Sequence, residues 1–292
     1  MKKLIFSTLL ATIASFSFAQ NVDKIINAKE AERIERVLAS DEMKGRRTFS
    51  PEIDKAADFI AAEFKAAGLQ TWNNSNSYLQ SFAIVSPKQL SLTGTVNGND
   101  VDPKSVVLIT TQPDVKITSS SGYETKAIKA GATFFQEAFA VLQAEKNTVV
   151  FVDTSFSRDF PRLSRLKRGG FKRESNVLFI LTPAAVTDFS IESKHEITEQ
   201  KLANVVGIIP GKSKKDEYVI FSGHYDHIGT GKPVNGDSIY NGANDDAAGT
   251  TAVILLAKYF KALKNNERTL VFAAFTAEEV GGYGSQYFSK QF

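Results

Sequence analysis

The 292 residues contain no cysteine, so the chain builds no disulfide framework and carries no lipid-modified cysteine anchor. A surplus of one charge is also missing, since the formal net charge is only +3. Lys2 and Lys3 lie in a stretch expected to be removed, and without them 33 basic residues face 32 acidic ones. So even a balance excludes the electrostatic footprint of a nucleic-acid or anionic-membrane partner. There is no low-complexity tract and no internal repeat, and 42% hydrophobic with 23% charged residues is ordinary globular composition. A chain of this length buries a core without covalent staples.

Long apolar runs are scarce as well. The one near the N-terminus, within residues 1–19, has a basic start, an apolar middle and small residues at Ser17 and Ala19. It is too short and too rich in Ser and Thr to span a bilayer. The pattern predicts a signal peptide cleaved after Ala19, and hence a secreted or periplasmic protein with no membrane anchor.

Residues 20–86 read as the first part of the main domain. Apolar residues recur at three and four from Ile25 to Leu38, and again from Ile53 to Phe64 after a first-turn Pro51. Gly45 breaks the first stripe, Gly68 stops the second, and residues 78–85 alternate like a strand. Residues 87–200 change texture. Short β-type runs at 90–96, 106–110, 148–152 and 176–181 are separated by turn residues, with a helical pattern over 123–130. We read them as an inserted β-rich module. Its basic cluster, Arg158 to Arg173, reads as a solvated face and loop, and His195 as a surface residue.

From residue 201 the α/β pattern returns. A buried strand over 218–222 ends in Gly223-His224-Tyr225-Asp226-His227, and one over 270–275 ends in Glu278-Glu279. Between them Asp245-Asp246, flanked by Gly242 and Gly249, opens a helix. Ligands of open α/β folds bind at the carboxyl edge of the sheet, which is where these groups fall. An imidazole with several carboxylates suits zinc. Asp226 is spaced to accept the second ring N–H of His224 and fix its tautomer. Glu278 and Glu279, being adjacent, point different ways and suit two tasks, one holding a metal and one a proton. Each group alone has an ordinary reading: a hydrogen-bonded strand-end histidine, a helix cap, two turn charges. Their conjunction favours a site, with His227 facing the cleft mouth or solvent.

GHYDHIG (223–229), GANDDAAG (242–249) and FTAEEVGGYGS (275–285), in this order and spacing, resemble the co-catalytic dizinc aminopeptidase family. That family includes glutamate carboxypeptidases, glutaminyl cyclases and the silent transferrin receptor. Residues 38–64 resemble the helical opening of its bacterial members, and the β-rich insert resembles their protease-associated module. The resemblance implies a zinc-exopeptidase-like α/β fold, with a mixed, mostly parallel sheet flanked by helices. It implies that His224 and Glu279 bind zinc, that Asp245 bridges two zinc ions, and that the Asp245–Asp246 peptide bond is cis. Glu278 is then the general base and Asp226 the residue that orients His224, in hydrolysis of N-terminal residues of peptides. The family's other two ligands, an Asp and a His, follow the Glu-Glu motif, and residues 280–292 contain neither. The expectation is therefore a C-terminally truncated and inactive piece, residues 201–292 being an incomplete peptidase core. The alternatives are a glutaminyl cyclase or glutamate-carboxypeptidase-type enzyme on the same fold, or a non-catalytic receptor-like relative.

Overall fold

The computed structural model describes residues 22–183 and 185–291. The signal peptide expected over residues 1–19 lies outside the described residues.

Helix α1 (Ala28–Leu38) starts where the Asn27 side chain accepts the N–H of Glu30, and it buries Ile34 and Leu38. Helix α2 (Pro51–Ala67) has its proline in the first turn and ends at Gly68, whose φ of 77° is the left-handed stop that glycine allows. Next come the short strand β1 (Gln70–Thr71) and the long β2 (Leu79–Val96), which joins into one ladder the two strands expected over 78–85 and 90–96.

Strands β3 (Asn99–Asp100), β4 (Val106–Ile109), β5 (Asp114–Thr118) and β6 (Glu124–Ile128) follow. A helix was expected over 123–130, but β6 pairs in parallel with β7 (Thr148–Val152), and tertiary pairing overrides the local pattern. The helix forms later, as α3 (Phe134–Gln143), beyond the left-handed Gly131. With β8 (Val177–Leu181), a four-stranded sheet of order β4-β8-β7-β6 is complete. One of its faces packs against Phe134, Ala138 and Val141 of α3, the other against Leu92, Ile117 and Ile191. Burial on both faces accounts for the near-continuous apolar runs of β4, β7 and β8.

Strand β9 (Phe189–Ile209) returns along β2 from Phe189 opposite Val96 to Val205 opposite Leu79. The boundaries expected near residues 86 and 200 fall inside these two continuous strands. His195, expected on the surface, is buried in β9.

The chain then forms β10 (Lys214–His224), β11 (Gly229–Val234), β12 (Asp237–Tyr240), α4 (Ala248–Leu263), β13 (Arg268–Phe275) and α5 (Tyr283–Ser289). The seven-stranded sheet has the order β10-β13-β9-β2-β3, with β1 and β5 also on β9. It is mixed and flanked by helices, as expected, but its pairing is mostly antiparallel. Among the described residues of this sheet only β10 and β13 run parallel, and the crossover helix α4 joins them. β13 alternates as a two-faced central strand should: Leu270, Phe272 and Ala274 pack with α1, α2 and α4, while Val271 and Ala273 pack with Phe288 of α5. Phe272 is fully buried, which stabilises the fold by about 2–3 kcal/mol. β10 does not match the buried strand expected: it is an edge strand among the described residues, with Tyr218, Val219 and Ile220 exposed.

Candidate metal centre

Because β10 and β13 are parallel and His224 pairs with Phe275, both strands release the chain at one sheet edge. Tyr225 is buried in the main core. Neighbouring side chains of an extended segment alternate, so His224 and Asp226 fall together on the opposite side. Asp226 is completely buried and accepts three hydrogen bonds, from the Thr48 hydroxyl at 2.9 Å and the N–H groups of Glu278 at 3.1 Å and Glu279 at 3.3 Å. Its expected partner is reached differently. The Nδ1 of His224 lies 3.1 Å from the main-chain oxygen of Asp226 and 3.8 Å from its carboxylate. The carbonyl therefore fixes the ring, and the carboxylate acts on it through charge while holding the Glu-Glu turn. The Asp226 side chain beside the ring, opposed by partial burial, pushes His224 up to about 9, so a metal at its Nε2 competes with a proton.

The Asp245–Asp246 bond is cis, and the two side chains separate. Asp246 accepts the N–H of His224 and that of Gly249, both at 3.0 Å, so it ties β10 to the first turn of α4. A Cβ on Gly249 would stand 2.2 Å from the Asp246 carboxylate, which is why glycine is needed there. Asp245 instead is 63% exposed and puts Oδ1 3.1 Å from the Nε2 of His224. The capping reading and the ligand reading of the pair are thus divided between its two members.

After β13, buried Ala277 adopts a left-handed φ of 59° and turns the chain so that Glu278 and Glu279 follow. Glu278 is exposed. Glu279 brings Oε1 to 2.8 Å from the Nδ1 of His227. Of the two placements expected for His227, the cleft mouth or solvent, the ring takes the cleft side: its side chain is 12% exposed. The ligand atoms of His227, Asp245 and Glu279 all lie within 4.8 Å of one another. An imidazole nitrogen and carboxylate oxygens gathered this closely, beside His224, fit zinc. A Cβ on Gly242 would meet the His227 ring at 2.6 Å, so the bare glycine leaves the ring its place.

Arg46 was not singled out from the sequence, and it is completely buried. Its Nε donates to the Tyr225 oxygen at 2.8 Å, one terminal nitrogen to the oxygens of Leu38 and of Asn241 (2.7 Å), and the other to that of Gly242 at 2.9 Å. Its own carbonyl accepts the N–H of His227 at 3.1 Å. Burial pushes the guanidinium down to about 10, with Asp226, Asp246 and Asp245 pulling the other way, so it stays charged at neutral pH.

Residues 204–292 match peptidase family M28. A probable zinc metalloprotease of Pyricularia oryzae is 37% identical over 92 residues, covering 32% of this chain and 18% of its own length. Aminopeptidase NAALADL1 of Rattus norvegicus is 32% identical over 95 residues, 31% of this chain and 11% of its own. The chain thus spans under a fifth of the length of these relatives. Among solved structures, the aminopeptidase from Aneurinibacillus sp. strain AM-1 aligns over 93% of this chain and 68% of its own, with 18% identity and a TM-score of 0.46.

Proposed function

From a metallopeptidase-family match that covers every residue of the centre except Arg46 and Thr48, we propose that this chain carries the metal-binding part of an exported zinc aminopeptidase. The observation that carries the reading is the convergence of His224, His227, Asp245 and Glu279 at the end of two parallel strands. In this reading His224, Asp245 and Glu279 would hold zinc, and His227 would orient Glu279. The name of the rat relative favours an aminopeptidase over a cyclase. Export rests on the N-terminal pattern of residues 1–19.

Zinc, when bound, supplies a Lewis acid that polarises a carbonyl and makes water more acidic. The protein's own part is positional and protonic. Asp226 fixes the Glu278 and Glu279 main chain, so the two carboxylates leave the turn in set directions. Glu279 is drawn inward by His227, and exposed Glu278 is left to take a proton from water and deliver it to the leaving amine.

Equilibrium dialysis against zinc tests the metal, and release of p-nitroaniline from aminoacyl p-nitroanilides, with and without chelator, tests the activity. The expected result is at least one retained zinc per chain, removed by chelator, with any release of p-nitroaniline sensitive to chelator. Failure to retain zinc, or release indifferent to chelator, overturns the reading.

A further inference from the structure

A buried guanidinium normally meets a carboxylate. Arg46 does not: among the described residues it takes part in no ion pair, and all four of its acceptors are main-chain oxygens. Those oxygens belong to three separate segments. Leu38 ends α1, Tyr225 stands between His224 and Asp226, and Asn241 and Gly242 lead into the turn that carries Asp245.

We propose that Arg46 is a positioning residue for the metal centre. It sets the separation between the strand end that carries His224 and the turn that carries Asp245. This inference rests on the metallopeptidase reading for its consequence, but not for its geometry.

Three further observations support it. The hydrogen bonds span both sides of the Nε2–Oδ1 contact of 3.1 Å between His224 and Asp245, so the fork bridges the backbones behind that pair. The segment is also fastened to the same strand end through the His227 N–H on the Arg46 carbonyl and the Thr48 hydroxyl on Asp226. Finally, Lys44, Gly45 and Arg46 all have positive φ, at 42°, 67° and 45°. A Cβ on Gly45 would stand 2.3 Å from the Tyr240 oxygen, so the chain is pressed against the end of β12 to deliver the arginine. Consecutive left-handed residues persist only where the surroundings impose them. A lysine cannot replace the group, because one ammonium cannot present a planar fork to four oxygens.

The test uses Arg46→Lys and Arg46→Gly, the second being at ease with the left-handed backbone. With only three histidines in the chain, the imidazole resonances of the metal-free protein report the geometry directly. In folded Arg46→Lys those of His224 and His227 should move, while that of His195, in the β2–β9 ladder, should not. Zinc affinity should fall about 10–100-fold. Guanidinium added to Arg46→Gly should return both signals and affinity toward wild type, and ammonium should not. Unmoved His224 and His227 signals in the folded variant, or zinc affinity within about twofold of wild type, overturn the proposal. If the wild type itself takes no zinc, the metallopeptidase reading fails, and the imidazole signals still decide the role of Arg46.

Discussion

The buried carboxylate of Asp226 accepts the main-chain N–H of Glu278 at 3.1 Å, across 52 residues of sequence. One side chain thus joins the first and third motifs of the centre. An amide at this position offers a single acceptor oxygen, and its N–H₂ confronts donors. Asp226→Asn should therefore destabilise the protein by about 1–3 kcal/mol in urea denaturation, and Thr48→Val, which removes one of the three donors, by about 1 kcal/mol. Unchanged stability in Asp226→Asn would contradict the three-donor arrangement.

Glu278 contributes its main chain to the Asp226 network while its side chain is exposed. Glu278→Gln should therefore keep both the fold and the zinc, and lower any hydrolysis by about 10²–10⁴-fold. Parallel zinc analysis and rate measurement separate this from a ligand role, which would lose metal and rate together.

His227 and Glu279 meet at 2.8 Å. If the imidazole orients the carboxylate, His227→Ala should weaken zinc by about 10–100-fold, with little loss of thermal stability. A bystander histidine would leave zinc binding unchanged.

Alanine at position 249 would improve helix propensity by about 1 kcal/mol. It would also place a Cβ 2.2 Å from the Asp246 carboxylate that caps α4 and holds the His224 N–H. The clash should win, so Gly249→Ala is expected to cost a net 2 kcal/mol or about that. A stabilised variant would show that the Asp246 cap contributes little.

Glu30 lies between Arg33 and Lys258, and these cations, with the Arg33 hydrogen bond foremost, hold its carboxyl down at about 2. A depressed carboxylate stabilises above its ordinary pKa and loses that contribution as pH falls through the depressed value. With a side chain 29% exposed, solvent screening leaves about 1 kcal/mol. The stability difference between wild type and Glu30→Gln should hold near neutral pH, shrink steadily as pH falls below the ordinary carboxylate range toward about 2, and vanish only below that.

The three motifs were legible because their residues sit at element ends that periodicity locates, and their order matches the order of β10, α4 and β13 along the chain. Helices α1 and α2 were legible for the same reason, from Ile34, Leu38, Ile53 and Phe64. Pairing partners were not. Nothing local marks β2 and β9 as one long antiparallel ladder, or distinguishes the edge strand β10 from the buried β13. His227 looked peripheral because its inward turn depends on Glu279, 52 residues away. The helix expected at 123–130 failed because β7 recruits that segment as a strand. Arg46 had no signature at all: its acceptors are backbone oxygens, which every residue possesses.

The span of the Arg46 contacts carries a consequence for how the protein is made. The oxygens of Asn241 and Gly242 lie 195 and 196 residues further along the chain. At a synthesis rate of about 5–20 residues per second, they emerge roughly ten to forty seconds after the arginine. For that interval the guanidinium must remain hydrated, and the segment around Gly45 cannot close. Closure of the N-terminal segment over the sheet edge therefore waits for residues 241 and 242 to emerge, and cannot be seeded by the N-terminal helices alone.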